Sequence, residues 1–142
     1  MIKKNNIENY VKLFESLNLE NLNKFDKLLD ENIYFEDPFN KVQGIENFKK
    51  IFSNTLKKLD DVEFKVLNII SKNNIHIIKW EMIYFAFNKS NSIFGLSEVT
   101  VSKSKKIISH IDYWDSYSNF YTKIPILGLI FQFILTLIRN RI

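Results

Sequence analysis

The chain has no cysteine, three glycines, two prolines and two histidines among 142 residues. Without cysteine there is no disulfide, no thiolate metal site and no cysteine nucleophile. The scarcity of glycine and proline excludes low complexity, and an apolar share of 46% excludes a disordered composition. His76 and His110 are far apart and the carboxylates are scattered, so no metal site is expected. Lys3 and Lys4 have no apolar h-region behind them, which argues against a signal peptide. Together with the missing cysteine this fits a cytoplasmic protein. The net charge of +4 comes from lysines spread along the chain, including Lys49, Lys50, Lys57, Lys58, Lys103, Lys105 and Lys106. Nucleic-acid binding would need a concentrated basic stripe, so no nucleic-acid partner is expected.

What is present organises into one domain with a large core. Ile7, Tyr10, Val11, Phe14 and Leu17 recur at helical spacing and predict a helix over 5–17. Leu22, Phe25, Leu28 and Leu29 predict a second, short helix. Residues 32–37 read as a strand stopped by Pro38. Gly44 ends a loop, and Ile45, Phe48, Ile51, Phe52, Leu56 and Leu59 define a third helix. From Asp60 the period changes to two. Four strands are predicted, about 62–71, 75–87, 93–102 and 107–117, with turn residues at Asn73-Asn74, 88–92 and 103–105. Short connections pair such strands antiparallel, and strands this long must twist. The fold class is therefore α+β: a curved antiparallel sheet wrapped round N-terminal helices, leaving a cone with a cavity.

The stretch Ile107-Ile108-Ser109-His110-Ile111-Asp112-Tyr113-Trp114-Asp115 organises the prediction of a site. Side chains two apart on a strand share a face, so His110, Asp112 and Trp114 line one wall. Asp37 sits at a strand end, where it could be a general base at the mouth of an apolar cavity or the cap of the following turn. His110 and Asp112 could form an acid–base pair or a structural hydrogen-bonded pair. His76 begins a strand beside a turn and is expected to be exposed. Trp80, Met82 and Tyr84 share one face of their strand, and Glu81, Ile83 and Phe85 the other.

These residues resemble the nuclear transport factor 2-like (NTF2-like) superfamily, and within it the SnoaL-like and ketosteroid-isomerase-like proteins. Three segments over residues 5–128 carry the resemblance. Phe35-Glu36-Asp37-Pro38-Phe39, then Gly44 and a helix, is similar to the first-strand motif. Lys106-Ile107-Ile108-Ser109-His110-Ile111-Asp112 resembles the SnoaL-like last strand. Tyr113-Trp114-Asp115 followed by Tyr121-Thr122-Lys123-Ile124-Pro125-Ile126-Leu127-Gly128 is similar to a tail seen in bacterial members. The resemblance implies a cofactor-free site, with Asp37 matching the isomerases' proton-shuttling base and Asp112 matching the cyclases' acid–base aspartate. The isomerases' first-helix tyrosine falls near Leu13, with Tyr10 and Phe14 on either side. Their second oxyanion-hole acid falls near Ser97 or Glu98. The predicted site is thus Asp37, His110 and Asp112 as catalytic groups, lined by Trp114, Tyr10, Phe14, Phe35 and Glu98. A homodimer through the outer sheet face is also implied, with Tyr113 and Asp115 on it.

Two functional readings follow. One is a pocket for a small apolar molecule doing isomerase- or cyclase-type acid–base chemistry. The other is a non-catalytic ligand-binding or dimerisation module. The chain divides into an NTF2-like domain, 1–123, and an apolar C-terminal helix, 124–142. Pro125 suits the first turn of that helix. At about 25 Å it falls short of the ~20 apolar residues that a membrane span needs. Three placements are open to it: packing on its own domain or a dimer partner, lying peripherally in a membrane surface through residues 125–142 with Arg139 and Arg141 as anchors, or plugging the cone. Leaving it in water would cost on the order of 10 kcal/mol.

Overall fold

The computed structural model describes residues 6–86 and 88–141. Helix α1 (Asn6–Glu15) buries Ile7, Tyr10, Val11 and Leu13, and a 3-10 turn (Leu22–Lys27) buries Leu22 and Phe25. Strand β1 (Leu29–Glu36) leads through β2 (Lys41–Gln43) into α2 (Ile45–Lys58). Helix α2 buries Phe48 and Phe52, one turn apart, and places Glu46 in its first turn and Lys57 and Lys58 in its last, complementing the helix dipole. Four strands follow: β3 (Asp60–Lys72), β4 (Ile75–Ala86), β5 (Lys89–Val101) and β6 (Ile107–Trp114). The short α3 (Ser116–Asn119), a 3-10 turn (Tyr121–Lys123) and α4 (Pro125–Arg139) complete the chain.

One mixed sheet holds the molecule, in the order β2-β1-β6-β5-β4-β3. The four C-terminal strands pair antiparallel as expected, and Asn73 and Asn88 turn the chain with φ of 56° and 58°. Asparagine tolerates that left-handed conformation. The exception is β1, which pairs parallel with β6. Strand β2 forms where the sequence predicts a loop; it is three residues long, too short for a period to register. The helices cover the concave face, and Tyr10, Phe25, Phe35 and Phe48 are almost fully buried between them and the sheet. Fully burying each such ring contributes about 2–3 kcal/mol.

His76 is buried rather than exposed. It shares the concave face with Ile78 and Trp80 by strand parity, and its Nδ1 lies 2.7 Å from the Ser71 hydroxyl. Removal from water pushes its imidazolium below the ordinary range.

Candidate functional site: a polar chain in an aromatic cavity

Between the helices and the concave face lies a cavity of about 800 Å³. Its wall is mostly aromatic and aliphatic, with Phe14, Phe35, Phe52, Phe64, Ile78 and Met82 among the lining residues. Phe39 and Phe120 frame its rim, both nearly half exposed, with ring centroids 5.0 Å apart. Phe39 also packs edge-on against Trp114 at 5.2 Å.

Strand parity brings His110, Asp112 and Trp114 onto this wall together, as read from the sequence. His110 is buried among the rings of Tyr10, Phe14, Phe35 and Phe48, whose centroids lie 5.3–6.1 Å away. Both of its nitrogens are engaged. The Tyr10 hydroxyl lies 2.6 Å from Nδ1, and Nε2 lies 2.7 Å from Asp112 Oδ1. Burial pushes the Tyr10 phenol well above its ordinary value, and the Asp112 charge adds to this. Tyr10 therefore stays protonated and donates to Nδ1. The hydrogen-bond pattern then assigns the proton of a neutral imidazole to Nε2, which donates to Asp112.

The chain of contacts extends across the sheet. Ser97 Oγ donates to Asp112 Oδ1 at 2.5 Å, and the Trp80 indole N–H donates to Ser97 Oγ at 2.7 Å. Asp112 Oδ1 thus accepts from both a histidine and a serine. Its other oxygen, Oδ2, makes no hydrogen bond among the described residues, and Asp112 lines the cavity. Every fully buried side-chain nitrogen or oxygen among the described residues has a partner. The arrangement therefore offers a ligand one carboxylate oxygen, held in place by four other side chains.

The row containing Gly95 explains how Trp80 reaches Ser97. Gly95 pairs with Trp80 on one side and Trp114 on the other. A Cβ there would lie 2.5 Å from Cη2 and 2.9 Å from Cε2 of the Trp80 indole. The missing side chain is what lets the ring lie across β5.

Asp37 borders the cavity too, but its carboxylate closes a turn. Its Oδ1 accepts from the backbone N–H of Phe39 at 2.8 Å and of Asn40 at 2.6 Å, and the Asn40 side chain reaches both oxygens. The aspartate before proline is thus engaged as a turn cap. Tyr10, Phe14, Phe35 and Trp114 all line the cavity as expected. Glu98 does not, and its prediction as a lining residue is corrected. It alternates outward to the convex face, across from Ile77 and Ile111, while Ser97 points inward. The sequence left Ser97 and Glu98 open; Ile93, Val99 and Val101 carry the parity that decides for Ser97. Trp80, Met82 and Tyr84 share the cavity-facing side of β4, and the bond from Trp80 to Ser97 has no local sequence signal.

Residues 8–110 match the family described as "Uncharacterized conserved protein (DUF2358)". No curated protein matches the chain. Solved structures do resemble it. A SnoaL-like protein from Jannaschia sp. CCS1 superposes with a TM-score of 0.70 at 12% identity, covering 82% of this chain and 90% of its own. A protein with a ketosteroid isomerase-like fold from Catenulispora acidiphila DSM 44928 gives 0.69 at 12%, covering 82% and 89%. An NTF2-like protein of unknown function from Exiguobacterium sp. 255-15 gives 0.67 at 13%, covering 78% and 98%. At such identities the likeness concerns the fold. By sequence the chain belongs to the DUF2358 family, and by structure it is an NTF2-like cone carrying an extra C-terminal helix.

Proposed function

We propose that this protein binds a small apolar molecule in the cone and moves a proton on it through Asp112, without a cofactor. The observation that supports this is a carboxylate on the wall of a mostly apolar cavity, with Oδ2 unpartnered among the described residues and Oδ1 backed by Ser97, His110, Tyr10 and Trp80. A carboxylate fixed by hydrogen bonds to one oxygen is pre-positioned as a base or acid at the other. His110 acts as an orienting group, because Tyr10 and Asp112 occupy both of its nitrogens. Asp37 holds the rim turn rather than the reacting proton.

The reaction class is proton abstraction beside a carbonyl, or the isomerisation and cyclisation that follow from it. The test is hydrogen–deuterium exchange at the α-carbon of a panel of apolar cyclic ketones and enones in D2O. The wild-type protein should exchange at least one member faster than Asp112→Asn by about 100-fold or more, the usual scale of a lost general base. If no member exchanges faster than with Asp112→Asn, the acid–base reading is wrong. A non-catalytic binding module is the second reading. It is favoured by the polar chain itself, in which every fully buried side-chain nitrogen or oxygen among the described residues already has a partner. Native mass spectrometry of the purified protein would support it if a retained apolar molecule appears unchanged by Asp112→Asn.

A further inference from the structure

Among the described residues, helix α4 is covered on one side only. It packs on the turn Tyr121–Lys123, and Gly128 makes this approach close: a Cβ there would lie 2.7 Å from the Thr122 carbonyl oxygen. Phe131 lies against Tyr117 and Tyr121, with centroids 5.8 and 5.6 Å away. No described α4 residue lines the cavity, so the helix does not plug it. Ile126, Leu127, Leu129, Ile130, Phe133, Ile134, Leu137 and Ile138 are all 41–74% exposed. At about 100° per residue these eight occupy an arc of roughly 180°, centred opposite Gly128, Phe131 and Leu135. The helix thus turns a continuous apolar half-cylinder away from its own domain.

We propose that α4 docks this protein on the interface of an anionic lipid leaflet, with the cavity rim facing the same surface. Three observations favour lipid over a second copy of the chain. The apolar arc is much wider than the narrow seam by which one helix packs against another. No aspartate or glutamate follows Asp115, so α4 carries none of the opposite-sign pairs that fix a helix–helix register. Arg139 and Arg141 are exposed at its end, where they complement acidic headgroups. The helix is about 22 Å long, less than the ~30 Å of a hydrocarbon core. Among the described residues no helix is long and apolar enough to cross a membrane. It therefore lies in one leaflet's interface.

The link to the cavity is Tyr121, which both lines it and touches Phe131 of α4. Phe120, on the rim, is its neighbour. Phe131 lies on the domain side of α4, so in this proposal it is the half-exposed rings of Phe39 and Phe120 that reach the lipid beside the docked helix, and an apolar ligand then passes from bilayer to cone without crossing water. Docking stands independently of the proton-transfer reading; only the delivery of a ligand rests on there being a binding cavity.

The experiment is flotation of the full chain with vesicles of phosphatidylcholine alone or mixed with phosphatidylglycerol. The chain should float with the mixed vesicles. L129E/F133E, which alters only exposed side chains, should weaken partitioning at least about 100-fold. R139Q/R141Q should weaken binding to the mixed vesicles about tenfold or more and leave binding to phosphatidylcholine unchanged. Placing a tryptophan at the rim, F120W in a W80F/W114F background, should give fluorescence that brominated lipid quenches. Docking is overturned if the chain does not float, if L129E/F133E floats equally, or if sedimentation equilibrium shows an oligomer that L129E/F133E dissociates. Flotation without quenching overturns the placement of the rim. Flotation together with no difference between wild type and Asp112→Asn in proton exchange would refute the enzyme reading and leave the docking intact.

Discussion

Replacing Gly95 with alanine probes the row that fixes the cavity wall. The added Cβ would lie 2.5 Å from Cη2 of Trp80, well inside van der Waals contact, and the atoms it meets belong to a rigid ring rather than a flexible tip. The indole must tilt away, and its N–H then leaves Ser97 Oγ, now 2.7 Å distant. Overpacking of this kind costs about 1–3 kcal/mol. The lost hydrogen bond adds about 0.5–1.5 kcal/mol. Reduced freedom of the unfolded chain offsets about 0.4–1 kcal/mol. The net expectation is a loss of about 2 kcal/mol, or a urea midpoint lower by about 1 M. A double-mutant cycle isolates the cause: with Trp80→Leu already in place, Gly95→Ala should be close to neutral. Urea titrations followed by circular dichroism would measure all four proteins. An equal cost in both backgrounds, or no cost in the wild type, would refute the proposed role of Gly95.

Four other outcomes are expected. Tyr10→Phe keeps the ring but leaves His110 Nδ1 buried without its donor, so stability should drop by about 1–3 kcal/mol in the same titration. Asp37→Ala should cost about 1–2 kcal/mol through the lost turn bonds, yet change any turnover only a few-fold, whereas Asp112→Asn should abolish turnover. For His76, burial lowers the folded-state pKa, so the unfolded chain takes up a proton more readily; stability should fall as pH drops below the ordinary value of 6.5, and His76→Gln should flatten that slope. Phe94, Leu96 and Tyr113 are exposed on the convex face; a homodimer through that face, as the family resemblance implies, should dissociate in Phe94→Glu when followed by sedimentation equilibrium.

The parts of the fold that follow from local periodicity were readable from the chain. Tyr10 and Phe14 fall on the buried side of a helix because of their spacing, and His110, Asp112 and Trp114 share a wall because a strand alternates. The turn asparagines were readable for the same reason, since their conformational tolerance is a property of one residue. Pairing between distant segments was not. Nothing near Phe35 announces His110 as its strand partner, because hydrogen bonding of the backbone is indifferent to side-chain identity. The Tyr10–His110 bond was hidden for the same reason. The nearness of His76 to a turn predicts exposure, whereas its parity with Ile78 and Trp80 buries it.

The hydrogen bond between Tyr10 and His110 joins residues 100 positions apart, and β1 finds its second neighbour only when β6 arrives. Loop-closure entropy makes contacts of such span slow to form, and on the ribosome they wait for nearly the whole domain to emerge. The N-terminal helices and β1 cannot hold a ligand site in advance of the last strand. An incomplete chain therefore has no premature pocket to fill, and filling of the cone reports that synthesis has passed Asp112 and that both ends of the domain have met.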